Sequence, residues 1–111
     1  MIDWQRIRDL KQEIGAGSFD KVVVLFLGEA DAATDQLLAA TTPPDMKRDL
    51  HALKGLALNL GFVDLAQLCQ IYETRAAEGD TDLPLAKFQT VYAASRTEFL
   101  SNLAAVLRDE P

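Results

Sequence analysis

Apolar side chains recur along this chain at steps of three and four, the period of a helix, and nowhere in the strict alternation of a half-buried strand. Helix breakers gather at four places: Gly15-Ala16-Gly17, Thr41-Thr42-Pro43-Pro44, Gly61, and the run from Glu78 to Asp82 followed by Leu83-Pro84. They divide the chain into five segments, each long enough for a helix. The first, about residues 3–14, places Trp4, Ile7, Leu10 and Ile14 on one face. The second runs from an N-cap at Ser18 to about residue 40 and carries Phe19, Val23, Phe26, Ala30, Ala33 and Leu37. The β-branched run Val22 to Val24 favours a strand locally, but helical periodicity on both sides outweighs it. The third segment opens on Thr42-Pro43-Pro44-Asp45: a capping threonine, proline in the first turn, and an acid at the positive end of the helix dipole. Met46, Leu50, Leu53, Ala57 and Leu60 then step by four, three, four and three toward Gly61, which ends or bends the helix. The fourth segment, about 63–78, aligns Leu65, Cys69, Tyr72 and Ala76; the fifth, about 84–108, aligns Phe88, Tyr92, Ser95, Phe99, Leu103 and Val106.

This pattern predicts an all-α chain forming one domain over residues 1–111. Four long segments with short connections favour an up-down-up-down four-helix bundle, with the short first helix covering one end. Composition agrees with a globular chain: 49% of residues are hydrophobic and 25% charged. The net charge of −6 argues against binding to the nucleic-acid backbone and gives no general attraction to an anionic membrane. The longest apolar runs are too short to span a bilayer, and the N-terminus lacks the features of a signal peptide. The single cysteine, Cys69, excludes an intrachain disulfide and falls on the apolar face of its segment, as a core filler. A cytoplasmic protein is expected. The initial Met and the polar end, Arg108-Asp109-Glu110-Pro111, favour a free-standing protein over a piece of a larger kinase.

Candidate chemistry lies in the third segment, HALKGLALNLGF, residues 51–62, which holds the only histidine. At about 100° per residue, His51 points about 140° away from the centre of the core stripe, onto the outside of the bundle. Lys47, Lys54, Gly55 and Leu58 share its side, at i−4, i+3, i+4 and i+7. Each has a use in phosphoryl transfer. A neutral imidazole nitrogen can attack phosphorus and hold the group covalently. Lys54 can pair with phosphate oxygens. Gly55 costs a helix about 1 kcal/mol relative to alanine, which makes sense where a partner must approach the backbone closely. Leu58 and Lys47 then supply partner contacts. A solvated face with an incidental histidine, and a glycine that relieves crowding against a crossing helix, are the plain alternatives.

The run His51-Ala52-Leu53-Lys54-Gly55, with the later Gly61, resembles the signature of histidine-containing phosphotransfer (HPt) domains. The continuation Leu65-Ala66-Gln67-Leu68-Cys69 and then Glu73 is similar to that family's next helix. The resemblance implies a phosphorelay carrier: His51 accepts a phosphoryl group from the aspartate of a receiver domain and passes it to the aspartate of another. Lys54 steadies the phosphoryl oxygens, Gly55 makes room for the receiver, and Glu73 is a candidate to orient the ring. Mg²⁺ belongs to the receiver, so no cofactor of the chain's own is implied. The implied partners are response-regulator receivers and a hybrid histidine kinase, met by a monomer that acts as a phosphotransfer intermediate rather than as a stand-alone enzyme. Leu56 departs from the family, which usually has Ser or Ala there. Counting places Leu56 on the flank of the core opposite Lys54 and turns Asn59 elsewhere. Two other functions compete: an adaptor or inhibitor that docks receivers or kinases without carrying phosphate, and a structural subunit that dimerises through exposed apolar residues. Metal chemistry is disfavoured by the lack of a second histidine, and a di-iron Glu-x-x-His pattern fails because Arg48 stands three residues before His51. No phosphate-binding glycine loop of the nucleotide-binding kinds occurs.

Overall fold

A computed structural model describes residues 1–108. The closing Asp109-Glu110-Pro111, counted above in the domain and as the chain's polar end, lies outside the described residues. The chain is all-helical: α1 spans Trp4–Ile14, α2 Ala16–Ala39, α3 Pro43–Asn59, α4 Val63–Ala77 and α5 Leu85–Arg108. Among the described residues the one β-type pairing is an isolated bridge between Ile2 and Phe62.

Each boundary has a local cause. At α3, the Thr42 hydroxyl accepts from the Asp45 N–H at 3.3 Å, and two prolines occupy the first turn. Its far end is a Schellman turn: the Phe62 N–H reaches the Ala57 carbonyl at 2.8 Å, and the Gly61 N–H reaches Leu58 at 3.3 Å. Gly61 sits at φ 69°, and a Cβ there would lie 2.6 Å from the Asp3 carbonyl oxygen. Both the backbone angle and the packing therefore require glycine. The start of α2 differs from the expected Ser18 cap. Gly15, at φ 84°, turns the chain directly out of α1 and becomes the N-cap itself. Its carbonyl accepts from the Ser18 and Phe19 N–H groups, which draws Ser18 into the first turn.

The core runs between α2, α3, α4 and α5. Phe19, Leu37, Leu50, Leu53, Leu60, Phe62, Leu65, Phe88 and Phe99 are all fully buried. Each consecutive pair among these four helices is in contact. The α2–α5 side is tied where Asp31 accepts from Tyr92 Oη and from Arg96 Nε and Nη2, the latter two at 3.0 Å. Helix α1 lies against the α3–α4 turn. Trp4 stacks on Phe99 at 5.8 Å, Phe62 meets Phe99 edge-on at 5.6 Å, and the Asp3 N–H donates to Gly61 at 2.7 Å.

The buried stripe of α2 runs through Leu27 and Thr34, with Phe26 and Ala33 on its flank, half-buried. Thr34 tolerates burial because its hydroxyl donates to the Ala30 carbonyl at 2.8 Å. Leu56 is partly buried against the core, which places the family's unusual residue in helix packing and away from the His51 face.

Candidate functional site

Helix α3 turns Met46, Leu50, Leu53 and Ala57 inward and thereby carries His51 outward, where its side chain is 70% exposed. The opposite wall is α4. Burying Leu65, Cys69, Tyr72 and Ala76 turns Glu73 and Gln70 toward α3. Glu73 Oε1 lies 2.9 Å from His51 Nδ1. Lys54 Nζ donates to Gln70 Oε1 at 2.8 Å and stands 3.3 Å from Glu73 Oε2. That second oxygen is buried and has no aligned hydrogen bond, so the lysine holds it by charge. Glu73 is only 13% exposed and Lys54 25%, which sets a sheltered ion pair beneath an open ring.

This arrangement selects the tautomer of the neutral ring. Burial works to raise the Glu73 pKa, but the hydrogen bond from His51 and the Lys54 ammonium outweigh it and hold the carboxyl below its ordinary range. An ionised carboxylate can only accept, so Nδ1 of the neutral ring carries the proton. In that tautomer the Nε2 lone pair is free on the ring's far side, the side away from Glu73. An exposed nitrogen nucleophile, oriented through its other nitrogen, is what attack on a phosphoryl group needs.

Residues 21–109 match the Hpt domain family model. The chain belongs to the Hpt domain family. Hpt domains act in histidine phosphotransfer within phosphorelays and work with response-regulator receivers and kinases. Neither a curated protein nor a solved structure matches the chain.

Other residues of this Hpt domain fall around the ring unequally. Gly55 is exposed, and a Cβ built on it meets nothing within 4 Å, so no crossing helix demands a glycine there. Lys47 lines the same shallow depression as His51 and Glu73, together with Pro44 and Arg48. Leu58 is exposed but borders a separate depression beside Asp3, Gly61 and Val63. Asn59 does face elsewhere: it accepts from Arg6 at 3.0 Å and donates to the Gly55 carbonyl at 3.2 Å. Cys69 is buried, and burial pushes its thiol up to about 12, which makes it an inert filler.

Three neighbours were not singled out by spacing. Gln70 sits one turn before Glu73, and a wheel of α4 drawn around Glu73 finds it. Arg48 donates to Asp49 Oδ1 at 3.3 Å and pairs with Asp45 at 3.3 Å. Asp49 is buried, a position that hydropathy alone excludes. Among the described residues, no group of three or more His, Cys, Asp or Glu is placed to hold a metal ion, and no helix is long and apolar enough to cross a membrane.

Proposed function

We propose that His51 accepts a phosphoryl group from the phospho-aspartate of one receiver domain and delivers it to the aspartate of another. The Nε2 lone pair attacks phosphorus, and an N–P bond forms. The acyl P–O bond breaks, and its electron pair leaves with the receiver's carboxylate. Nδ1 keeps its proton throughout, so the ring becomes cationic as it is phosphorylated. The Glu73 carboxylate, 2.9 Å away, opposes that charge. Delivery to the second receiver reverses each step.

Lys54 keeps Glu73 in place by charge and offers an N–H not used by Gln70 to the phosphoryl oxygens. Gly55 leaves the backbone bare for the visiting domain, and Leu58 and Lys47 mark the edges of its footprint. The Mg²⁺ that such transfer uses sits on the receiver, and a hybrid kinase feeds the relay. Helices α2–α5 run up-down-up-down in this reading, and the protein acts as a cytoplasmic monomer.

One observation carries the reading: in a chain of this family, the sole histidine is exposed and its Nδ1 is held by a carboxylate, which frees Nε2. The test incubates the protein with receiver domains phosphorylated by acetyl phosphate in Mg²⁺. Acid-labile, base-stable label on the wild type and none on His51→Gln is expected. Label surviving in His51→Gln refutes the assignment. Normal partner binding with no label on either protein supports the adaptor reading instead.

A further inference from the structure

Three cations surround His51, and two are already engaged. Lys54 is held by Gln70 and Glu73. Arg48 is clamped between Asp45 and the buried Asp49. Lys47 makes no hydrogen bond or ion pair among the described residues. It is exposed, one helical turn before His51, and lines two adjoining depressions. One contains His51, Arg48 and Glu73. The other leads away between the start of α3 and the end of α4, past Pro43, Ala76, Ala77 and Gly79. A chain of net charge −6 thus presents an uncommitted ammonium beside its nucleophile, on a concave surface extending beyond it.

We propose that Lys47 is the partner-selecting residue of this face, pairing with a carboxylate-rich rim on the docking domain that extends from His51 toward Gly79. The inference rests on the phosphotransfer reading and adds which residue reads the partner's charge. Lys47 alone of the three also lines the depression that leads away from the ring, which favours a docking role; the lifetime of phospho-His51 distinguishes that role from service to the phosphoryl group. A rim charge of this kind acts on the association rate and is screened by salt.

The experiment compares wild type, Lys47→Ala and Lys47→Glu with the same phosphorylated receivers, across ionic strengths from about 0.02 to 1 M, where the screening length shrinks from tens of ångströms to about 3 Å. At low salt, kcat/KM for transfer to His51 is expected to fall about two- to fivefold in Lys47→Ala and further in Lys47→Glu. The three proteins should converge at 1 M, with unchanged lifetimes of isolated phospho-His51. Equal rates at low salt, or a loss that persists at high salt, overturn the proposal. A shortened phospho-His51 lifetime in Lys47→Ala also overturns it, because the lysine then serves the phosphoryl group. Wild type that accepts label while the variants match it sinks this inference alone; wild type that never accepts label sinks the phosphotransfer reading as well.

Discussion

Gly55→Ala separates the cost of a residue to the fold from its use to a partner. Gly55 lies within α3 with helical backbone angles, and an added Cβ meets no atom within 4 Å. Nothing inside the molecule opposes alanine, and the intrinsic preference of about 0.8–1 kcal/mol should appear in full as stabilisation. For a domain of this size, an unfolding entropy near 2 cal/mol/K per residue converts that gain into about 4 °C of Tm. Docking should suffer in the same protein. A methyl group beside the nucleophile holds a close-packed receiver away, and a displacement of about 1 Å can lower a transfer rate on the order of a hundredfold. Thermal unfolding by circular dichroism and single-turnover transfer from a phosphorylated receiver measure the two effects. Gly55→Gln extends the obstruction, and its transfer rate should drop below that of alanine. The reasoning fails if Gly55→Ala raises Tm yet both variants transfer at the wild-type rate, since the glycine then serves no partner. It fails differently if Tm falls, since the open space around Gly55 is then wrong.

Gly61→Ala should lower stability by at least about 2 kcal/mol, because a left-handed angle and a clash with the Asp3 carbonyl are both imposed; urea unfolding followed by the single tryptophan checks it, and an unchanged midpoint contradicts it. Glu73→Gln replaces an obligate acceptor with an amide that can also donate, which removes control of the His51 tautomer. ¹⁵N NMR should show loss of the Nδ1–H preference, with transfer slowed at least about tenfold; a retained preference rules out the positioning role. Burial of Asp31 works to raise its pKa, but the hydrogen bonds from Arg96 and Tyr92 outweigh it and hold the pKa below the ordinary value. The unfolded chain then takes up its proton first as pH falls, so the Asp31 contribution is complete above the ordinary carboxylate range and drains away below it. Asp31→Asn should show a shallower loss of urea stability than wild type between pH 5 and pH 2 (about the range in which such carboxylates titrate), and identical slopes would exclude the Asp31 cluster as a source of acid sensitivity.

The features legible in the sequence were those governed by one helix at a time. Met46, Leu50, Leu53 and Ala57 on the α3 stripe are all buried, and His51, counted away from them, is exposed. The Thr42 cap was readable because capping depends on residues within one turn. The α2 stripe drifted because Thr34 buries its hydroxyl on its own helix, so a polar residue occupied a core position. Ser18 misled for a related reason: Gly15 can both close α1 and open α2, and its backbone freedom outranks a serine's side chain. Contacts between helices were not legible. The pairing of His51 with Glu73 spans 22 residues and that of Arg96 with Asp31 spans 65, and only packing brings them together. Family resemblance suggested the first; nothing suggested the second. Asp49 escaped because a charged residue can be buried when its neighbour in sequence, Arg48, folds back over it.

On the phosphotransfer reading proposed above, the electrostatics of the site account for the need of a partner. Phosphoryl transfer is accelerated chiefly by fixed positive charge at the transferring oxygens and by alignment of nucleophile and leaving group. Around His51, most of the available positive charge is spent internally: Lys54 neutralises Glu73, and Arg48 is shared between Asp45 and Asp49. What the chain supplies in full is the nucleophile, with its tautomer set and its Nε2 face open. That division suits a carrier that must both gain and lose the group. A site already rich in bound cations would favour the phosphorylated state of His51 and slow its departure. In the proposed relay, leaving the missing cations to the visiting domain would keep the two directions of transfer balanced and confine rapid chemistry to the encounter.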